Sequence, residues 1–276
     1  MSVHRLLVLI RGGGDLATGV AHRLYRVGMR VVITELPQPR AIRRAVAFAS
    51  AVYEGEITVE GVRARQAKDL SEIQNLLVEN IVPVAVDPDG TLIPVLQPDV
   101  LVDARMAKRN LGTTMTDAPV VIGLGPGFEA GRDVHAVIET AGGHNLGRVI
   151  TIGTAEPNTG VPRPVMGYER ERVIWAPTDG IFRAVRRIGD QVSKSDVVGE
   201  VAGQPVVAGV SGVIRGLLHD DLEVQRGEKV GDVDPRGKVE YCYSISDKAR
   251  AIGGGVLEAI GAVLFSRGSG LGRLDG

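Results

Sequence analysis

Two stretches of the C-terminal half superimpose on each other at a constant offset of 32 residues. GIFRAVRRIGDQVSKSDVVGEV occupies 180–201 and GVIRGLLHDDLEVQRGEKVGDV occupies 212–233. Gly180, Arg183, Val192, Val198, Gly199 and Val201 meet Gly212, Arg215, Val224, Val230, Gly231 and Val233. Ile181 and Val185 meet the aliphatic residues Val213 and Leu217. A repeat this short, with strand-type alternation and glycine turns, reads as a duplicated β-unit. Each copy has two or three short strands that cannot bury a face alone, so the copies are expected to close on each other as a small sandwich.

The rest of the chain is of another kind. Its 276 residues suit one large or two ordinary domains. A net charge of −1 gives no electrostatic case for nucleic acid or an anionic membrane, and 4% aromatic residues supply few stacking platforms. Cys242 is the only cysteine, which excludes an internal disulfide or a multi-cysteine zinc site. No apolar run approaches about 18 residues, so no membrane span is expected, and a cytoplasmic protein is the default.

Residues 1–165 alternate apolar strands with helical segments. LLVLI (6–10) is a buried strand, and Leu16, Ala17, Val20, Ala21, Leu24 and Val27 then fall on one helical face ended by Gly28. A strand ending in Glu35, a helical segment over PRAIRRAVAFASAVYEG, a hairpin at Gly61 and a helix over LSEIQNLLVEN follow. IVPVAVD, TLIPVL, VLVDARM, PVVIGLGPGF and DVHAVIET read as strands. This rhythm predicts an α/β fold: a Rossmann-like doubly wound sheet over 1–165, then a small all-β barrel-sandwich hybrid domain over 166–240. The segment 241–276 is expected to add a strand around Cys242, whose thiol is read as buried and inert. A helix over SDKARAIGGGVLEAIGAVLFSR follows, weakened at Gly253–Gly255 and packing back on the first domain.

Two glycine loops carry the candidate chemistry. Gly12, Gly14 and Ala17 fit G-x-G-x-x-A between a strand and a helix, with Asp15 at the helix start and Glu35 ending the next strand. Such glycines admit a phosphate to the helix N-terminus, and Glu35 stands where a ribose hydroxyl acceptor belongs. Asp15 would repel that phosphate unless it turns away; otherwise it is a plain helix cap. Gly123, Gly125 and Gly127 follow another strand and read as an anion cradle, or as a connection that needs positive φ. Lys108 is a candidate phosphate ligand beside Asp103, Arg105 and Arg109. Asp133 and His144 are the candidate catalytic groups, lying with His135 and Glu139 after the second glycine loop. Their spacing matches no metal motif, and no metal is expected.

The second half resembles biotinyl/lipoyl-type barrel-sandwich domains at APTDG (176–180), IGDQV (188–192) and VSGVI (210–214). In those carriers a lysine in the connecting hairpin holds the prosthetic group. No lysine lies between Lys194 and Lys229 here, so the resemblance implies a structural or docking role. Residues 4–265 are similar to the YqeB-type proteins of the selenium-dependent molybdenum hydroxylase system, related at the N-terminal domain to XdhC-type molybdenum cofactor insertion factors. GGGDLATGVAHRL, VYEGEITVEG, GLGPGFEAGRDVHAVIET, GHNLGRV, PNTG and SDKARAIGGGVLEAI carry the similarity, and Arg11 departs from the expected lysine. The resemblance implies a cytoplasmic accessory or maturation protein that binds a molybdopterin-type cofactor or a nucleotide. Its partner would be a molybdenum hydroxylase of the xanthine dehydrogenase type, and homo-oligomers are compatible with it. An NAD(P)-dependent oxidoreductase using His144, and a ligand-free protein-binding scaffold, are the alternatives; whether there is turnover is left open.

Overall fold

A computed structural model describes residues 5–160 and 164–268, with side chains to residue 264. In the N-terminal half the strands are β1 (Leu7–Arg11), β2 (Arg30–Glu35), β3 (Glu56–Val59), β4 (Val62–Ala67), β5 (Val82–Val86), β6 (Val100–Asp103), β7 (Val120–Leu124), β8 (Glu129–Ala130), β9 (Ala136–Ile138), β10 (Val149–Ile150) and β11 (Gly153–Thr154). Nine of them form one sheet in the order β10-β9-β7-β6-β1-β2-β5-β4-β3. The run from β9 to β4 is parallel, while β10 and β3 are antiparallel edges. β8 and β11 make a separate antiparallel pair.

Strand alternation divides the core. Val8 and Ile10 of β1 face one apolar cluster, and Leu7 and Leu9 face another. The first face is covered by α1 (Asp15–Arg26) and by a helix from the far end of the chain. The other face carries two further helices, α3 (Leu70–Val78) and α4 (Leu92–Leu96), while α2 (Ala51–Glu54) is a single turn. The far helix is α5 (Asp247–Gly268), whose Ala249, Ile252, Val256 and Ile260 lie in the same cluster as Val20 and Leu24 of α1.

Two glycines of α5, Gly253 and Gly255, are contact points, not a weak spot. A Cβ on Gly253 would lie 2.9 Å from Gly19 O, and Gly255 is pressed against Gly147 O. A Cβ on Gly19 would lie 2.6 Å from that of Ala249. Small residues let the two helix backbones approach, and the helix stays unbroken through residues 253–255.

Beyond residue 170 the strands are β12 (Val173–Trp175), β13 (Gly180–Ala184), β14 (Gln191–Val192), β15 (Val197–Val201), β16 (Gln204–Val207), β17 (Gly212–Leu217), β18 (Leu222–Val224) and β19 (Lys229–Asp234). Each repeat copy supplies three strands, β13–β15 and β17–β19. The copies exchange their middle strands: β18 pairs with β13, and β14 pairs with β17. Two four-stranded antiparallel sheets result, sharing one core around Phe182, Ile214, Val198 and Val230.

The expected class is corrected by this architecture. The fold is a mixed nine-stranded sheet with three smaller antiparallel sheets and few helices, not a Rossmann-like doubly wound sheet followed by a barrel-sandwich hybrid. Double winding needs a helix after each parallel strand. Here β6, β7 and β9 are joined by loops. The helix expected over 39–55 is two 3-10 turns, Arg44–Val46 and Phe48–Ser50, and the short α2. TLIPVL is α4, because Asp87 caps it by accepting from Thr91 and Leu92 N–H. The strand expected around Cys242 is a 3-10 turn, Val239–Cys242, with the thiol buried against Ile214 O. The hairpin at Gly61 forms as β3 and β4.

The 3-10 segment is the seam between the halves. Leu217 N–H donates to Ile42 O (2.8 Å), and Arg44 Nε donates to Leu217 O (3.0 Å). The rings of Tyr53 and His219 stack at 3.8 Å between centroids.

Candidate functional site

β1 and β6 end side by side, with Arg11 opposite Asp103, and their chains then diverge. Gly12 turns at φ 92°, with Ala104 O where its Cβ would be crowded, and leads into α1. Such a divergence at the carboxyl edge of parallel strands leaves a crevice. The crevice here is a cleft of about 950 Å³ between the large sheet and the second copy of the repeat.

Its floor is the first glycine loop. Gly14 caps α1 at φ −63° without any side-chain hydrogen bond, and nothing stands within 4 Å of where its Cβ would be. The start of the helix therefore opens onto the cleft, where Ala17 also lies. Gly13, not singled out by the motif, is the tightly held member. Its N–H donates to Glu35 Oε2 (2.6 Å), and its carbonyl accepts from Ala49 N–H (2.8 Å). A Cβ there would meet Ala49 N at 2.9 Å. Leu36 N–H takes the other oxygen of Glu35 at 2.7 Å. Glu35 thus holds the loop in shape. Burial pushes its carboxyl above the ordinary range, against the pull of these two amides.

The wall is cationic. Arg43, Arg172, Arg215, Lys229 and Arg236 line the cleft around two carboxylates, Asp232 and Asp234, that are 1% and 3% exposed. Arg43 reaches Asp15 at 3.4 Å and Asp232 at 3.3 Å. Lys229 holds Asp232 at 2.9 Å; Arg215 and Arg236 hold Asp234 at 3.3 and 2.6 Å. Burial would raise the Asp232 carboxyl, but the charges of Arg43 and Lys229 outweigh it and hold it below the usual range. Burial and the neighbouring Arg43 lower Arg215. The carboxylates fix the guanidinium planes from behind, so donors are arranged before any ligand arrives.

Three more cations, Arg40, Arg105 and Lys248, border the same space. Against these eight stand Asp15, Glu35 and Asp247 in the lining, and Asp103, Glu228, Asp232 and Asp234 behind it. Among the described residues the excess is one positive charge, which suits a small anion of low charge and not a polyanion.

Gly12, Gly14, Asp15, Ala17 and Glu35 are therefore brought together at the cleft. The second glycine loop is not among its lining residues. Gly123 packs under the Phe128 ring, Gly125 against Thr140, and Gly127 against the backbone of Lys108 and Arg109. Lys108 itself is exposed at φ 61°. Asp133 caps its own turn, accepting from Glu129 N–H at 3.0 Å, and pairs with Arg132. His144 is exposed in a loop, and neither it nor Asp133 lines the cleft. His135 Nδ1 accepts from Val121 N–H (3.0 Å). Among the described residues no group of three or more His, Cys, Asp or Glu is placed to hold a metal ion.

The cationic wall was missed in the sequence, yet it left a signal. Lys229, Asp232, Asp234 and Arg236 stand where the first copy has Val197, Glu200, Ala202 and Gln204. Lys229, Asp234 and Arg236 are where the second copy departs from the first, while Arg215 keeps the arginine of Arg183 and Asp232 the acid of Glu200.

The fold and cleft define a mixed-sheet chain whose duplicated β-unit closes over a glycine loop. No family model matches it. Uncharacterized protein YqeB of Escherichia coli K12 is 52% identical over 254 residues, which cover 92% of this chain and 47% of that protein. The chain thus spans about half the length of the curated relative it matches. Among solved structures, an aspartoacylase family protein from Mesorhizobium loti is 14% identical, with 83% of this chain and 85% of that one covered, at a TM-score of 0.27. The ectoine utilization protein EutE from Ruegeria pomeroyi is likewise 14% identical over 83% and 85%, at 0.25. Likenesses this faint carry no function to this chain.

The comparisons do not bear out the assignment to a molybdenum hydroxylase maturation system. The relative is described only as an uncharacterized protein. The structural neighbours are aspartoacylase and desuccinylase proteins, not XdhC-type factors or biotinyl/lipoyl domains, and none is described by molybdenum or selenium. Among the described residues no helix is long and apolar enough to cross a membrane.

Proposed function

We propose that the cleft binds a small phosphate-bearing organic anion, with the phosphate between the start of α1 and the guanidinium wall. The observation that carries this reading is the convergence of an uncapped helix N-terminus and five cationic side chains on one space. Gly12 and Gly14 let the backbone approach the phosphate. Arg43, Arg215 and Arg236 offer it donors whose directions Asp232 and Asp234 already fix. The single excess positive charge favours a monophosphate ester over a triphosphate.

Titration calorimetry with ribose 5-phosphate, AMP and adenosine tests this. The two phosphates should bind, and more weakly as salt rises, while adenosine should not. Gly14→Asp is a good helix cap and leaves the fold intact, yet places a negative charge at the phosphate position. It should weaken binding by about tenfold or more, as should Lys229→Gln. Equal binding of adenosine, or affinity unchanged in both variants, would overturn the reading.

A further inference from the structure

The carboxyl end of β1 separates two spaces. Gly12 faces the cationic cleft. Arg11, one residue earlier, is the next residue after Leu7 and Leu9 on the opposite side of the strand. Its guanidinium lies under the turn at Gly90, where a Cβ on Gly90 would come within 3.1 Å of Arg11 Nη2. That turn and Arg11 line a second pocket of about 870 Å³, on the sheet face away from α1. Leu111 is shared by both spaces.

Arg11 is only 5% exposed, and among the described residues it forms no ion pair within 4.0 Å. Its two hydrogen bonds, to Thr113 Oγ1 and Pro88 O, are both 3.4 Å long. The neighbouring carboxylates are committed elsewhere. Asp103 holds Arg105 and Thr113, and Asp87 caps α4. Burial and the adjacent Arg105 work against the charged form of Arg11 and outweigh the favourable charges of Asp103, Asp87 and Asp117, none of which pairs with it within 4.0 Å. A buried guanidinium with donors to spare at the wall of a pocket lacks an anionic partner.

The rest of the pocket restricts what that partner can be. Asp89, Asp99 and Asp117 also line it, so a bare anion meets net negative charge. Asp89 is exposed at the rim, and Asp99 spends one oxygen on Leu7 N–H (2.7 Å), leaving Oδ1 available. Ile93, Pro94 and Pro119 add apolar surface to the same lining.

We propose that this pocket binds a small zwitterion of the amino-acid type, with its carboxylate on Arg11, its ammonium toward Asp89 and Asp99, and an apolar side chain on Ile93 and Pro94. The site is independent of the phosphate cleft and stands or falls by itself.

Titration calorimetry on the whole chain would use L-leucine, leucinamide (no carboxylate) and 4-methylpentanoate (no ammonium). Leucine should bind, and the other two should bind at least about tenfold more weakly, each having lost one charged pair. Arg11→Lys should keep measurable affinity and Arg11→Met should lose it. Asp89→Asn alters an exposed rim residue and should weaken leucine without affecting the unfolding midpoint, so the test survives even where Arg11→Met fails to fold. Lys229→Gln should leave leucine binding unchanged. No binding of leucine at millimolar concentration would overturn the proposal. So would 4-methylpentanoate binding as tightly as leucine, or affinity retained in both Arg11→Met and Asp89→Asn.

Discussion

Arg43 Nη2 lies 3.3 Å from Oδ2 of Asp232, joining residues 189 positions apart across the seam between the two halves. The carboxylate is 1% exposed, with Lys229 as a second ion-pair partner and the charge of Arg172 also acting on it. Arg43→Met would remove the largest compensating charge from a carboxylate in a dry place. The expected loss is about 3–5 kcal/mol, read from urea unfolding. Arg43→Lys should recover only part, since an ammonium is a point charge and Asp15 and Asp232 lie on different sides of the guanidinium.

Acid should unfold the chain through the same cluster. Asp232 and Asp234 both titrate below the ordinary value of 3.8 in the folded state. A depressed carboxylate contributes stability that is fully present above its unfolded value and is lost as pH falls through the folded one. The urea midpoint should therefore lose this contribution only below about pH 4, with a shallower acid limb in Asp232→Asn. A midpoint that declines equally in the variant would show that other carboxylates govern the acid limb.

The two glycine loops should separate by mutation. Gly125 has φ 71°, and a Cβ there collides with Thr140 Oγ1. Gly125→Ala should cost about 1–3 kcal/mol in unfolding experiments. Gly14 has an ordinary φ and open space around it, so Gly14→Ser should keep or slightly raise stability as a better helix cap.

The crossing of α1 and α5 makes a third stability test. Gly19→Ala would press a methyl group against Ala249 Cβ and, at 2.8 Å, Ala249 O. A cost of about 1–3 kcal/mol is expected. Ala249→Gly in the same chain should relieve part of it, and a double-mutant cycle would show the coupling.

How much of this was legible in the sequence differs by element. The apolar run of β1, the face of α1 through Leu24 and the doubled β-unit are local patterns and appear where the sequence puts them, although Val27, expected on the same face, lies past the helix and is exposed. Residues 92–96 were misread because a short aliphatic run has no period of its own; the cap from Asp87 decides it. The class was misread because strand–helix rhythm does not reveal that α5, from the far end, replaces helices missing between β6, β7 and β9. At the site, Gly12 and Gly14 were visible because backbone geometry restricts residue type. Arg43, Arg172 and Arg215 were not, since long-range ion pairs follow from docking and not from spacing.

The position of α5 in the chain sets the order in which the molecule can be completed. During synthesis β7 and β9 emerge with Ile122, Leu124, Ala136 and Ile138 uncovered on the face that α5 will occupy. They stay so while both repeat copies are made, until Ile252, Val256 and Ile260 leave the ribosome. The duplicated unit can close before the larger sheet is sealed, although its residues come later. A chain halted anywhere before residue 247 therefore exposes an apolar surface that quality control can recognise, and the emergence of α5 is the step that hides it.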